Sequence, residues 1–311
     1  MTEQLDPRIH VDAAHLRALA TRARGISFLP AQPSKSILNG QHASKLKGRG
    51  LNFEELRHYS VGDDVRTIDW KVTARTGEPY VRVYTEERDH SVLLIVDQRM
   101  SMFFGSKHNM KSVTAAEAAA LAAQAIHAKA DRVGGIVFND TEMTELRPKA
   151  NAKALSQFIA TLAKANCALH AKGPSIDTMS LNEPLKAACR LAKTNGQVLI
   201  FSDFDGMNEQ TFKLLRTLSQ KNDVILFSIS DPFSKALPEG IEIVVSDGEI
   251  QGLLKTNEAQ TRKKLLEFTT GRLAELMTFA HKFGLPVLPL TCSQDTLPQL
   301  LKLLGKRQGP K

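Results

Sequence analysis

Cysteine, tryptophan and long apolar runs are scarce in this 311-residue chain. Its three cysteines, Cys167, Cys189 and Cys292, lie far apart in the sequence and form no Cys-x-x-Cys pair. This spacing argues against a zinc site or a disulfide framework and fits a reducing cytosol. No stretch approaches the roughly 20 consecutive apolar residues that a membrane-spanning helix needs. Residues 1–20 contain acids and lack the apolar core of a signal peptide. We therefore expect a soluble, cytoplasmic protein.

Several well-known catalytic motifs are also absent from the sequence. It contains no phosphate-binding loop of the Gly-x-x-x-x-Gly-Lys type, and its nine histidines show no His-Glu-x-x-His spacing. Ser101 has no obvious histidine partner in a nucleophile motif. These absences argue against the classes of protein that those motifs mark.

Positive charge exceeds negative charge, and the net charge is +8. The basic residues cluster near the two ends of the chain, at Arg17, Arg22, Arg24, Lys35, Lys45, Lys47, Arg49, Lys302, Lys306, Arg307 and Lys311. Such clusters are typical of a solvated basic surface, but they also suit an electrostatic dock for an acidic partner. Nucleic acid is a further alternative, although no recognised binding motif or aromatic stacking platform accompanies the charge.

Strand and helix patterns alternate from residue 89 onward. Continuous apolar runs predict buried strands, among them Val92–Asp97, Arg132–Phe138 and Gln197–Ser202, and helical patterns separate them. This alternation predicts an α/β fold with a doubly wound, mostly parallel sheet. Before it, the period-two pattern of Tyr80–Glu86 and the nearby turn signals predict a small β-rich subdomain. We expect an N-terminal helix and linker over 1–40, the β-rich subdomain over 41–88, the main domain over 89–295, and a C-terminal helix with a basic tail over 296–311.

Short polar motifs in and around the subdomain carry a family resemblance. They are Gly48-Arg-Gly-Leu-Asn-Phe-Glu54, Arg57-x-Tyr59, Gly62-Asp-Asp-Val-Arg66, Ile68-Asp-Trp70, Thr73-Ala-Arg-Thr76, Glu86-Glu-Arg88 and the strand that ends at Asp97. With these motifs the chain resembles the bacterial family called domain of unknown function 58. The resemblance implies a von Willebrand factor A-like, Rossmann-like main domain. It also implies a partner class, because relatives are commonly linked with MoxR-type AAA+ ATPases.

The resemblance also implies a candidate metal site. Adhesion-type sites of the von Willebrand factor A fold use Asp-x-Ser-x-Ser after the first strand, a threonine from a middle loop and an aspartate after a later strand. Asp97, Ser101 and Asp203 match this pattern, but Arg99 replaces the first serine. The threonine position falls near Met179, between Thr178 and Ser180. The site is therefore either a degenerate, weak Mg²⁺ site or a structural one in which Arg99 neutralises the carboxylates.

Further charged residues precede the first strand of the main domain. We expect Asp63, Asp64, Arg66, Asp69 and Arg75 to form an ion-pair and hydrogen-bond network that clamps the subdomain onto the main sheet, rather than an acid–base centre. We expect Trp70, the only tryptophan, to be the buried apolar plug of this network.

Three functions remain open from the sequence. The first is a non-catalytic interaction module that docks partners through a rim of Arg99, Phe103, Phe104 and Phe204 around the strand ends. Alternatively, the three phenylalanines pack under the loops and form no docking rim. The second function is a metal-dependent hydrolase or phosphatase built on Asp97 and Asp203, and the third is a nucleic-acid binder.

Overall fold

The chain forms two compact units in its computed structural model. The structure describes residues 6–23, 26, 51–86, 90–170, 178–232, 242–246, 251–255, 271 and 273–304. The smaller unit comprises residues 29–89, and the larger one combines residues 1–28 with 90–311. The N-terminal and C-terminal helices therefore both belong to the larger unit.

The larger unit alternates strands and helices along the chain. Its elements are α1 (Ala13–Ala20), β3 (Ser91–Asp97), α3 (Lys111–His127), β4 (Arg132–Phe138), β5 (Met143–Lys149), α4 (Ala152–Cys167), α5 (Asn182–Leu191), β6 (Gln197–Ser202), α6 (Glu209–Ser219), β7 (Asp223–Ser230), β8 (Glu242–Ser246), β9 (Gln251–Lys255), α7 (273–283), β10 (Val287–Thr291) and α8 (Thr296–Leu304). The smaller unit contains β1 (Leu51–His58), α2 (Trp70–Thr76) and β2 (Tyr80–Glu86).

A six-stranded sheet organises the larger unit, with the strand order β10-β7-β6-β3-β4-β5. Only β5 at one edge runs antiparallel to its neighbour, and the other pairs in this sheet are parallel. The chain starts in the middle at β3, moves outward through β4 and β5, and returns to β6 on the other side of β3. This order confirms the doubly wound, mostly parallel architecture with a von Willebrand factor A-like arrangement. It also places the topological switch point between β3 and β6, where such sheets bind ligands.

Two apolar layers cover the sheet, because alternate strand residues point to opposite faces. On β3, Val92, Leu94 and Val96 pack with α1, α3, α4 and α8, while Leu93 and Ile95 pack with α5, α6 and α7. All five side chains are buried. The continuous apolar strand is therefore explained by helices on both faces.

Helix α3 is buried on nearly every side, which explains its composition of alanine and small polar residues. Within it, Glu117 links three other segments, since it accepts hydrogen bonds from Asn109 and Thr296 and pairs with His15 of α1 at 2.8 Å. Neither α3 nor any other helix among the described residues is long and apolar enough to cross a membrane.

The smaller unit consists of an antiparallel pair, β1 and β2, with a short helix between the two strands. The pair agrees with the predicted β-rich subdomain, but helix α2 was not expected. Asp69 begins α2 by accepting hydrogen bonds from the backbone of Lys71 and Val72, and Gly77 ends it with a φ of 80°.

Candidate functional site

The candidate site lies at the carboxyl ends of β3 and β6, beside the switch point. Asp97 is the last residue of β3, and its side chain is fully buried. Ser202, the last residue of β6, donates its hydroxyl to Oδ2 of Asp97 at 2.7 Å and accepts from the backbone N–H of Phe204 at 2.9 Å. One serine therefore ties the ends of the two central strands together.

Arg99 is the centre of this site. Its Nε donates to Oδ1 of Asp97 at 3.0 Å and its Nη2 to Oδ2 at 2.8 Å, which is the bidentate geometry that arginine forms with carboxylates. Nη1 donates to the carbonyl oxygen of Met179 at 3.1 Å, and Nη2 also donates to that of Asp205 at 3.1 Å. The guanidinium lies 5.6 Å from the ring centroid of Phe138. It therefore joins the loop after β3, the loop before α5 and the loop after β6.

Burial opposes the charge of Arg99, but the attraction and hydrogen bonds of Asp97 outweigh it and raise the arginine pKa further. Arg99 is only 4% exposed. The positive charge is therefore permanent and is held inside the protein.

A second pair lies next to the first. Lys111, the first residue of α3, places its Nζ 2.6 Å from Oδ2 of Asp203. Oδ1 of Asp203 accepts the backbone N–H of Asp205 at 3.0 Å. Burial alone would raise the pKa of Asp203, but Lys111 lowers it below its usual range. Asp97, Arg99, Lys111 and Asp203 thus form a cluster, here called the four-charge cluster, with two negative and two positive groups.

Asp140 borders the cluster from the end of β4. Its Oδ2 accepts the backbone N–H of Met100 at 2.6 Å. Partial burial raises the pKa of Asp140. Asp140 therefore fixes the loop after β3, one of the three loops that Arg99 joins. Oδ1 of Asp140 and the hydroxyl of Ser101 are buried and make no hydrogen bond within the described part of the chain.

Two of the three predicted ligands, Asp97 and Asp203, do not fit a bound Mg²⁺ ion, and only the hydroxyl of Ser101 makes no hydrogen bond within the described part of the chain. The metal would need free oxygen ligands in octahedral geometry. Both carboxylate oxygens of Asp97 already accept from Arg99 and Ser202, and both of Asp203 accept from Lys111 and a backbone N–H. In the middle loop, Met179 turns its carbonyl oxygen to Arg99, while Thr178 and Ser180 are exposed. Across the described ranges, no group of three or more acidic, histidine or cysteine side chains is arranged to hold a metal.

The predicted docking rim is only partly at the surface. Phe204 is 1% exposed and packs with the α5–α6 side of the core, so its place in the rim was wrong. Phe204 has a φ of 57°, in the left-handed region. Arg99 is buried as well. Phe103 is half-buried and stacks on His10, with 5.5 Å between the two ring centroids. Phe104 is exposed.

The polar residues of the smaller unit act locally. Asp63 pairs with Arg57 at 2.6 Å and accepts the backbone N–H of Ser60, and these contacts lower its pKa. Asp69 pairs with Arg82 at 2.7 Å, which lowers the pKa of Asp69. Asp64 caps the 3₁₀ turn Val65–Thr67. The acids thus have structural roles. Their partners are Arg57, Arg82 and backbone N–H groups, and not Arg66 or Arg75 of the predicted network.

Arg66, Arg75 and Trp70 do not have the places in the network of the smaller unit that the sequence predicted for them. Arg66 and Arg75 have exposed side chains that form no ion pair within the described ranges. Trp70 is 68% exposed, so the expectation of a buried plug was wrong. The reason is helix α2: Asp69 begins the helix and turns inward, and the next side chain, Trp70, points to solvent.

Sequence reasoning missed Lys111, Asp140 and Ser202. A signal exists for Lys111, since a cation in the first turn of a helix opposes the helix dipole and needs a nearby acid. Asp140 follows a buried strand in an Asn-Asp-Thr turn, as Asp97 and Asp203 follow theirs. Ser202 carries no signal that separates it from other strand residues.

Comparison with known families shows to which family the chain belongs. A family model described as "Protein of unknown function DUF58" matches residues 55–272. The chain belongs to the DUF58 family. The match includes the polar motifs of the smaller unit from Arg57 onward and the switch-point residues of the sheet, while the motif Gly48–Glu54 lies before it.

Related sequences and structures were also found. The chain is 26% identical over 316 residues to uncharacterized proteins of Mycobacterium bovis and Mycobacterium tuberculosis, covering 99% of this chain and 98% of each relative. Solved structures include BatB from Bacteroides thetaiotaomicron, at 12% identity and a TM-score of 0.36, covering 63% of this chain and 98% of BatB. A von Willebrand factor type A protein from Catenulispora acidiphila matches at 13% identity and a TM-score of 0.31, covering 62% of this chain and 45% of its own.

Proposed function

We propose that this DUF58 protein is a non-catalytic, cytoplasmic protein-interaction module. The observation that carries the proposal is the guanidinium of Arg99, which links three loops at the switch point and uses both oxygens of Asp97. A site in which the charges neutralise each other is fixed in shape, and a rigid site suits recognition.

The docking surface would be the exposed rim of these loops. Phe104, Thr178 and Ser180 are exposed, and Phe103 and Met179 are half-buried beside them in the chain. An aromatic side chain among small polar groups is a common anchor for a protein partner. Arg99 and Phe204 act beneath this rim as supports.

The partner class follows from the family resemblance. We propose a MoxR-type AAA+ ATPase, with a role in assembling or activating other proteins. In adhesion-type domains, a carboxylate of the partner completes the coordination shell of the metal ion. In this protein the contact with the partner would not need a cation.

A capture experiment tests the function. Tagged wild-type protein, Phe104→Asp and the control Met277→Asp are incubated with native cytosol, with and without magnesium and ATP. Met277 is 48% exposed and lies on α7, outside the loops that form the rim. We expect the wild type and Met277→Asp to recover the ATPase and Phe104→Asp to lose it. Equal recovery by all three, or no recovery by the wild type, would contradict the proposal.

The hydrolase alternative rests on Asp97 and Asp203. Both carboxylates are held by cations, and neither is available as a general base in this arrangement. Turnover of a phosphomonoester by the purified wild type, lost in Lys111→Ala, would favour the enzyme instead. The nucleic-acid alternative rests on the basic ends, most of which lie outside the described residues.

A further inference from the structure

The smaller unit exposes an apolar stretch that its own strands do not cover. Val61 is 102% exposed, Val65 58% and Trp70 68%. Single exposed apolar residues are ordinary, but three in one short segment that includes the only tryptophan are not. The folded unit therefore presents this segment to solvent.

Carboxylates hold the backbone of this segment in place. Asp63 accepts the N–H of Ser60 at 2.8 Å and pairs with Arg57 of β1. Asp64 begins the 3₁₀ turn, and Asp69 begins α2 while pairing with Arg82 of β2. Each acid fastens the segment at one point, so its apolar side chains project from a fixed backbone. A fixed surface loses little conformational entropy when a partner binds.

Exposed basic residues flank the tryptophan in the sequence, and the exposed acid nearest to them is Asp64. Arg66, Lys71 and Arg75 are exposed and make no ion pair among the residues that the structure describes. Between Asp69, which faces inward, and Glu78, the sequence contains no acid. Helix α2 therefore carries only positive charge, and the complementary ligand is acidic.

We propose that Val61, Val65, Arg66, Trp70, Lys71 and Arg75, here called the Trp70 surface, form a second docking site, for an acidic protein segment. The segment places an apolar side chain on Trp70 and its carboxylates on the three bases. Tryptophan and arginine dominate the binding energy of many protein interfaces. Single-stranded nucleic acid also stacks on aromatics among bases, but two exposed valines and one aromatic ring give successive bases no platform. This site belongs to the smaller unit, whereas the strand-end rim belongs to the larger one.

Selection from a library of random displayed peptides tests the proposal with the full-length protein. We expect the selected peptides to be enriched in Asp and Glu around an apolar residue. Because Trp70 is the only tryptophan, binding of a selected synthetic peptide should shift the intrinsic emission to the blue and protect it from acrylamide quenching. The affinity should fall at least about tenfold in Trp70→Ala and in the double variant Lys71→Glu/Arg75→Glu, a loss of ~1.4 kcal/mol.

Matched controls separate this surface from the rest of the molecule. Trp70→Phe should keep most of the affinity, and Phe104→Asp on the strand-end rim should keep all of it. Selection of basic peptides, or of no consistent composition, would overturn the proposal. Tighter binding of oligothymidylate, or concentration-dependent self-association lost in Trp70→Ala, would do the same. A clearly lower melting temperature for Trp70→Ala would also refute it, since the side chain would then be packed in the fold.

Discussion

The guanidinium of Arg99 lies 3.0 Å (Nε to Oδ1) and 2.8 Å (Nη2 to Oδ2) from the carboxylate of Asp97, and both residues are buried. Adhesion-type sites use the same aspartate position to hold a cation. Here a side chain two positions along the chain provides the positive charge. The pair is therefore part of the folded structure itself and does not depend on an ion from solution.

Removal of Arg99 should destabilise the protein strongly. Arg99→Ala leaves Asp97 buried without its cation, and breaking a buried pair from one side costs about 3–5 kcal/mol. Urea unfolding monitored by circular dichroism measures the loss. The control is Arg190→Ala, which breaks the 2.8 Å pair with Glu145 at a largely exposed site; such pairs contribute about 0–1 kcal/mol. Equal losses of unfolding free energy in Arg99→Ala and Arg190→Ala would contradict this prediction, because the buried pair would then stabilise the protein no more than the exposed one.

Charge reversal at the same position should be worse than truncation. Because the sequence predicts Arg99 in a docking rim at the surface, it also predicts that Arg99→Glu leaves folding intact. The structure predicts that it places a further carboxylate beside Asp97 and Asp203 inside the protein, so the variant should not fold stably. A cooperative melt near the wild-type temperature would contradict this prediction.

Trp70 and Asp69 are neighbours in sequence but should respond differently to truncation. Trp70→Ala removes an exposed side chain and should change the free energy of unfolding by no more than about 0.5 kcal/mol. Asp69→Ala removes both the cap of α2 and the partner of Arg82, so it should destabilise the smaller unit. Thermal melts of both variants, together with proteolysis of the smaller unit, test the contrast. A large loss of unfolding free energy for Trp70→Ala would contradict this prediction and would favour the buried side chain that the sequence suggests.

His15 should make stability depend on pH. The hydrogen bond that His15 donates to the carboxylate of Glu117 is the main cause of its raised pKa, and the charge of Asp12 adds to the effect. Stabilisation from a raised histidine pKa is fully present below the unfolded-state value of about 6.5. It is lost as the pH rises through the folded-state value.

A matched pair of variants tests this dependence. The difference in melting temperature between wild type and His15→Gln should be largest in mild acid and should shrink above neutral pH. His108→Gln is the control, because the pair of His108 with Asp295 is mostly exposed. A difference for His15→Gln that grows with pH would contradict the assignment.

Much of the fold could be predicted because buried parallel strands are continuous apolar runs between turn residues. Strands β2, β4 and β6 have the bounds that the sequence indicates, Tyr80–Glu86, Arg132–Phe138 and Gln197–Ser202. Helix α2 was missed because its seven residues begin Trp-Lys-Val-Thr and show no apolar periodicity. Its signals were at its ends, the cap at Asp69 and the glycine at position 77.

The site was only partly predictable. Asp97 and Asp203 could be placed because the carboxyl ends of parallel strands meet at one edge of a sheet. Which cation meets which acid depends on side-chain reach across that edge, so the sequence suggested Arg99 for both carboxylates. The structure assigns Lys111 to Asp203. The burial of Trp70 was predicted wrongly. An aromatic residue among charged ones gives the same sequence pattern whether its side chain is buried or exposed.

The claim that Arg99 replaces a metal ion has one direct test. Mg²⁺ and Mn²⁺ are titrated by calorimetry into wild-type protein that has been treated with a chelator. Since the carboxylate oxygens of Asp97 and Asp203 are already occupied, we predict no saturable binding, or binding too weak to define a dissociation constant. A saturable isotherm with a micromolar dissociation constant would contradict the account, because a cation would then have displaced the guanidinium from Asp97.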